Sequence, residues 1–513
     1  MRGSTRSTGA RSPSATTPSP SSHARLALLT GALCLAAAAP AAASRDQESI
    51  FEDEHQLLER GPAAASAGLD DVARLGADSV RSLVLWSRLA PGGAGRPRGF
   101  SGAEPKAYPP ALWDPYDDLV RGTSVRGLGL ILSPSTPMPA WASRCKRGRK
   151  ATCKPDPQAY RAFVTALGRR YSGSYADENQ GGGMLPRVSR WSLGNEPNQP
   201  AWLTPQYERR RGRLVATAAV LYRRLAVAGI AALRASGHGR DQILLGETSP
   251  IGRAYGSPAR RPIAPVEFLR KLFCLTPGGR RLRGAEARRH ACGRPRRLAV
   301  AGYAHHPYLR GGSRPPTARP EGAGEITIAT AARLRRVLDQ AARARRIPRR
   351  LPVFYTEFGF QTNPPDGLLG VRVGRQPGYI NQSDWIAYRD PRVRAVAQYK
   401  LVDEAARSSF QSGLRFLGGR AKPAYDAYRL PIWVSGRGPR LRVYGQVRPA
   451  PNGSRQVVRI QLRRPRARTF ATVRTVTVRS RRGHFVARVR ARPGVWRLAW
   501  GALRSREARA ARR

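Results

Sequence analysis

The chain has 513 residues, and Lys and Arg outnumber Asp and Glu by 91 to 33, a formal charge of +58. That length exceeds a usual single domain, although a barrel of roughly 250 residues or more folds as one unit. The charge attracts polyanions, yet Arg and Ala are enriched throughout, as a biased genome composition produces. With no RNP-like motif, zinc-finger spacing or basic heptad helix, no nucleic-acid partner is expected.

The N-terminus reads as an address. Arg25 precedes the apolar run "LALLTGALCLAAAAP" and the small-residue site "AAAS", the order of a secretory signal. The run is short for a bilayer span, and no later apolar segment reaches the required length, so no transmembrane segment is expected. Residues 1–43 are therefore expected to be a signal peptide cleaved near Ala43. Leu33 before Cys34 argues against a lipoprotein site. The mature protein is expected to be secreted and soluble.

Short apolar runs then alternate with amphipathic segments. "SIFEDE" is followed by the helical "AGLDDVARLGA", then by "SVRSLVLW" and "GLGLILSPS". The helix "PQAYRAFVTALGRRY" precedes "RVSRWSLGNEP", and a long helix around "LVATAAVLYRRLAVAGIAALRA" precedes "ILLGETSP". "VEFLRKLF" leads to "LAVAGYAHHPY", "IATAARLRRVLDQAARA" to "LPVFYTEFGF", and the helical "PRVRAVAQYKLVDEA" to an eighth strand, "SGLRF". Strands alternating with helices of 3.6 periodicity predict βαβ units and a parallel sheet. Eight repeats, with no Gly-rich phosphate loop opening a helix, favour a (β/α)8 TIM barrel over residues 44–435.

The pattern changes near residue 436. "LRVYGQVRP", "QVVRIQL", "FATVRTVTVRS", "HFVARVRAR" and "VWRLAW" read as period-2 strands between Gly, Pro and Arg turns. They predict an Arg-rich, all-β immunoglobulin-like sandwich over residues 436–503 and a basic disordered tail over 504–513. Residues 436–513 carry 23 arginines and one acid, Glu507. An anionic cell-wall polymer is therefore a candidate partner of this domain.

Cys34 leaves with the signal. Four cysteines remain as two local pairs, Cys145 with Cys153 and Cys274 with Cys292. The spacings are not C-x-x-C and His290 is the only nearby His, so two disulfides fit an oxidising compartment better than zinc.

Polar residues at the C-terminal ends of barrel strands are the candidates for function. They are Arg81 and Trp86, Asn195 and Glu196, Glu247, His305, His306 and Tyr308, Glu357, and Lys422 after strand 8. Glu196 and Glu357 stand almost across the barrel mouth. Paired carboxylates are what glycosidic cleavage needs: one protonates the leaving oxygen, the other attacks the anomeric carbon or activates water. Glu247 reads better as a solvated loop residue, and His305 as a packed strand residue. Trp141, Trp202 and Trp385 read equally as sugar platforms or as core. A metal site from His305, His306 and Glu247 is disfavoured, because adjacent strand residues point to opposite faces.

"GNEPNQPAW" and "YTEFGFQT" resemble the strand-4 and strand-7 signatures of clan A glycoside hydrolases, which are retaining (β/α)8 enzymes. Family 39-like members are the most similar, with family 5 cellulase-like enzymes next. The resemblance spans roughly residues 48–434. It implies Glu196 as acid/base and Glu357 as nucleophile, with Asn195 bonding the sugar 2-hydroxyl. It implies that His306 and Tyr308 line the sugar site, and that Arg81 keeps the nucleophile ionised. Trp202 flanks the acid and supplies apolar surroundings. Clan members often carry a Trp at the end of strand 8; here Phe410 and Gln411 are nearest.

The expected protein is thus a secreted, retaining glycoside hydrolase acting on a poly- or oligosaccharide by double displacement, with no cofactor and no metal. The alternative is a non-catalytic carbohydrate-binding or cell-wall-associated protein with a barrel cleft and a basic anchor. The sugar and linkage are not readable, because barrel loops set them.

Overall fold

The computed structural model describes residues 46–511, apart from 93–94, 146–150, 180, 294, 311–313, 407–408 and 451–453. The expected signal peptide lies outside the described residues. Eight parallel strands form a closed barrel: β1 (Glu48–Glu52), β2 (Ser79–Leu85), β3 (Gly129–Ser135), β4 (Arg190–Leu193), β5 (Gln242–Thr248), β6 (Gly302–His305), β7 (Val353–Tyr355) and β8 (Val393–Tyr399). Each strand pairs with its neighbours in sequence, and β8 closes on β1 with Ile50 opposite Ala397.

At least one helix follows each strand, and a short second one, Gly284–Arg289, precedes β6. The main helices after the eight strands are α1 (Pro62–Arg74), α2 (Pro110–Val125), α3 (Pro157–Arg170), α4 (Thr217–Ala235), α5 (Pro265–Leu272), α6 (Ala331–Arg343), α7 (Gln376–Tyr388) and α8 (Ala424–Arg429). Asp156 caps α3 by accepting from the backbone N–H groups of Gln158 and Ala159, with Pro157 at the first position, where its missing donor costs nothing.

Side-chain alternation separates two apolar layers. Ile50, Ile131, Leu244, Ala304, Phe354 and Ala395 fill the inside of the barrel. Their neighbours Phe51, Leu132, Ile243, Tyr303, Val353 and Val396 face the helices in the main core. Period two then carries the interior row upward from Ile50 to Glu52, which sets the first polar side chain at the strand ends.

The eighth strand is not the one expected. "VRAVAQY" forms β8, and "SGLRF" is a loop beyond it. Val393 and Val396 mimic helical spacing, but six of the seven residues of β8 are buried, so no solvent face marks its period. The helix before β8 is α7, which buries Gln376, Asn381, Ser383 and Asp384 together with its apolar residues. Its polar residues are spread around it, so no apolar stripe announces it. Tyr399 and Lys400, rather than Phe410 and Gln411, stand at the end of strand 8.

The C-terminal domain has seven strands in two antiparallel sheets. One joins β9 (Ile432–Ser435), β10 (Arg440–Gln446) and β13 (His484–Arg490); the other joins β11 (Gln456–Arg463), β12 (Ala471–Val478), β14 (Val495–Trp500) and β15 (Leu503–Arg504). Val443, Val458, Ile460, Trp496 and Leu498 are buried between them. The domain begins four residues earlier than expected, at Ile432. Within the described part of the expected disordered tail, up to Ala511, the chain is paired instead: Trp496 and Ala508 exchange backbone hydrogen bonds at 2.8 Å, and the Ala511 N–H reaches the Val434 carbonyl at 2.9 Å.

This domain docks on the N-terminal ends of the barrel strands. Arg482 reaches Asp78 and Glu48, and His484 Nε2 lies 3.0 Å from the Gln47 carbonyl. Gly76, at φ +76°, allows the approach, since a Cβ there would stand 2.6 Å from the Pro449 Cα. Tyr444 packs on Tyr388 and Trp385 at 4.9 and 5.4 Å between ring centres, so Trp385 is interface core rather than a sugar platform. The two cysteine pairs form disulfides, Cys145–Cys153 and Cys274–Cys292. Among the described residues no helix is long and apolar enough to cross a membrane.

Candidate active site

The site is built at the C-terminal ends of the strands, the face on which barrel enzymes carry their chemistry. Beyond β4 the chain turns through Gly194 at φ +84° and Glu196 at φ +35°. A left-handed Glu is strained, and neighbouring strands hold it there. The Glu196 N–H donates to the Glu247 carbonyl at 2.9 Å. Asn198 ties the same loop to the one after β5, donating to the Ser249 and Ile263 carbonyls and accepting from the Ser249 N–H.

Arg81, from the third position of β2, lies fully buried at the centre of a polar cluster. Its Nε donates to Glu247 Oε1 at 3.2 Å and its Nη2 to Glu247 Oε2. Nη2 also donates to Asn195 Oδ1 at 2.7 Å, and Nη1 pairs with Glu52 and lies 3.5 Å from Glu357 Oε2. The guanidinium thus joins residues from β1, β2, β4, β5 and β7. Such a planar fork fixes carboxylates in orientation as well as in place.

His306, one residue past β6, is the second cation of the cluster. Its Nδ1 lies 3.0 Å from Glu196 Oε1 and 3.4 Å from Glu357 Oε2, and its Nε2 lies 3.6 Å from Glu247 Oε2. Two of those contacts, 3.0 Å and 3.4 Å, share the Nδ1 atom, so the two glutamate oxygens lie no more than about 6.4 Å apart. The Tyr308 hydroxyl donates to Glu357 Oε1 at 3.0 Å. Side-chain exposure is 19 % for Glu196 and 11 % for Glu357, against 0 % for Arg81, Glu247 and His306. The two carboxylates expected to react are the least buried of the cluster.

Burial sets the baseline for every ionisable group here, and its neighbours correct it. Burial disfavours charge on His306, but Glu357, Glu196 and Glu247 outweigh it and raise its pKa to about 9. Burial also pushes Glu247 up, yet Arg81 and His306 hold it down at about 2. Glu52 ends well above the usual carboxylate range: burial dominates, Arg81 only opposes it, and its Oε2 has no hydrogen-bond partner among the described residues. Burial raises Glu357 as well, against the pull of His306 and Arg81.

Of the residues singled out in the sequence, Arg81, Asn195, Glu196, His306, Tyr308 and Glu357 come together. Trp202 stands beside them, half-buried, lining a small cavity with Asn195 and accepting at its carbonyl from the Thr136 hydroxyl. His305 is packed: its Nδ1 meets the Thr248 hydroxyl at 2.9 Å, its Nε2 meets the Ile326 carbonyl at 2.9 Å, and burial pushes its pKa down to about 3. Trp86 stacks on Phe163 in the core, with Trp141 edge-on to it at 5.9 Å. Lys422 is buried against Asp403, Thr362 and the Gln411 carbonyl.

Two members were not anticipated. Glu247 is fully buried rather than a solvated loop residue, because Arg81 and His306 neutralise it. Glu52 was passed over, although "SIFEDE" places it at the C-terminal end of a barrel strand, the position that picked out the others.

No family model matches the chain, and no curated protein matches it. Solved structures do. A glucosidase from Croceicoccus marinus is 12 % identical, with 90 % of this chain and 96 % of that one covered at a TM-score of 0.49. GH5_18 from Streptomyces cattleya in complex with GlcNAc is 18 % identical, with 75 % and 79 % covered at 0.45. A hyperthermophilic β-glucosidase from Pyrococcus furiosus is 13 % identical, with 75 % and 94 % covered at 0.45.

Proposed function

We propose that the chain is a retaining O-glycosyl hydrolase of the clan A type, exported from the cell and acting on a poly- or oligosaccharide. One observation carries the reading: Glu196 and Glu357 are the least buried carboxylates of the cluster, and both face His306 Nδ1, at 3.0 and 3.4 Å. Retaining pairs stand about 5–5.5 Å apart and inverting pairs about 6.5–9.5 Å; retention is proposed from the strand-end motifs "GNEP" and "YTEFG". The two disulfides are compatible with an extracellular protein.

In the first step Glu357 attacks the anomeric carbon while the bond to the leaving oxygen breaks and Glu196 protonates that oxygen. Glu196 then takes a proton from water, which attacks the same carbon and releases Glu357. The Tyr308 hydroxyl holds one Glu357 oxygen and orients the other. His306 and Arg81 stabilise the Glu357 carboxylate electrostatically but only in part against burial, which with Glu196 still raises its pKa. Asn195, held by Arg81, is placed to bond a sugar hydroxyl. The strand-end motifs "GNEPNQPAW" and "YTEFGFQT" support a family 39-like placement, with a family 5-like one next.

Two variants test this. Glu357→Gln is expected to abolish turnover of an aryl glycoside. Glu196→Ala is expected to lose activity that azide restores on a substrate with an activated leaving group. Full activity in either variant would sink the assignment.

A further inference from the structure

The sheet of β9, β10 and β13 has one face on the C-terminal core and one face outward. Half of the outward face is covered, where Tyr444, Gln446 and His484 are buried toward the barrel. The other half is open. There Arg440 stands directly opposite Arg490, and Arg442 directly opposite Arg488. Residues two apart share a face, so all four side chains leave the same surface, about 7 Å apart along each strand. Cβ atoms of directly opposed residues lie about 4.5–5.5 Å apart.

All four arginines are exposed, and among the described residues none makes an ion pair or a side-chain hydrogen bond. Like charges directly opposite destabilise a sheet pair. Two such pairs side by side, held rigid by the docked half of the face, form a preorganised cationic patch that a counter-charge from outside would relieve. The patch belongs to the domain docked on the N-terminal ends of the barrel strands, so it lies away from the catalytic mouth.

We propose that this four-arginine face binds a linear acidic polysaccharide, one bearing a carboxylate or sulfate on its sugars. Sheets that bind single-stranded nucleic acid add aromatic platforms for the bases. The open half carries Val486 and no aromatic between its arginines. One apolar residue is also too little to anchor in a lipid surface. The choice of a sugar polymer rests on the catalytic reading above; the arginine pairs do not.

The test uses the full chain, with polygalacturonate and duplex DNA as probes at several salt concentrations. Wild type is expected to bind polygalacturonate with an affinity that falls as salt rises. R440Q/R442Q/R488Q/R490Q is expected to weaken binding tenfold or more and to unfold no earlier than wild type, since repulsion is removed. R234Q/R336Q/R343Q/R349Q, four exposed arginines of the barrel exterior, is expected to lose less than threefold. Equal losses in the two variants, or no binding by wild type, would overturn the site in favour of bulk charge. A larger loss for DNA than for polygalacturonate would overturn the glycan assignment. Turnover of a neutral aryl glycoside, measured in parallel, reports on Glu196 and Glu357 and so separates failure of the catalytic reading from failure of the patch.

Discussion

Arg81 and Glu247 meet in a two-point contact at the centre of the barrel mouth, Nε to Oε1 at 3.2 Å and Nη2 to Oε2. Both are fully buried, so each charge depends on its counter-charges, and each is the other's two-point partner. Breaking a buried pair from one side costs about 3–5 kcal/mol because a charge is left stranded. Glu247→Ala is expected to cost about 3 kcal/mol, the low end, since Glu52 still faces Arg81. Urea unfolding of the variant measures this. The double variant R81M/E247L should be less destabilised than the single one; an equal or larger loss would mean the pair is not a unit.

His306 makes stability depend on pH. Its folded pKa, about 9, lies above the ordinary value of 6.5. The stabilisation is therefore complete below about pH 6.5 and is lost as pH rises through 9, amounting to about 3 kcal/mol over that window. Glu247 behaves oppositely: held at about 2, it stabilises above the usual carboxylate range and loses this as pH falls through 2. Denaturant midpoints measured from pH 6 to 10 should fall for wild type and stay flatter for His306→Asn.

The acids of strands 4 and 7 were legible because each sits in a short, unusual strand end, "GNEP" and "YTEFG", on an eightfold alternation. Glu247 was not, because "GETSP" reads like any polar turn and the Arg81 that buries it is 166 positions away. Strand 8 was misread for a different reason: a strand sealed on both faces loses its period of two, and "VRAVAQY" then mimics a helix. The last residues of the chain read as a tail by composition, yet the Ala511 N–H bonds to the Val434 carbonyl of β9 and Trp496 pairs with Ala508, pairings local patterns do not show.

Tyr308 offers a finer probe of the site. Its hydroxyl is a 3.0 Å donor to Glu357 Oε1, and a hydrogen bond to a charged group contributes about 1.5–3 kcal/mol. Tyr308→Phe is expected to lower kcat roughly 10- to 100-fold with a smaller change in KM. An unchanged kcat would detach Tyr308 from the role proposed for Glu357.

The disulfide Cys274–Cys292 closes a loop of sequence separation 18 that carries Arg283, Glu286 and His290. Cross-linking a loop of this length contributes about 3 kcal/mol in the chain-entropy model. C274A/C292A should therefore lower the unfolding free energy by about 2–4 kcal/mol. A loss below 1 kcal/mol would show that local packing, with Arg223 donating to the His290 and Ala291 carbonyls, holds the loop unaided.

The claim that Glu196 and Glu357 cleave a glycosidic bond by double displacement is tested most directly by proton NMR of the first sugar released. Purified full-length protein would be mixed with a polysaccharide panel and the anomeric signal followed before mutarotation. The account predicts a product with the same anomeric configuration as the bond that was cut. A product of opposite configuration, or no product from any member of the panel, would contradict it.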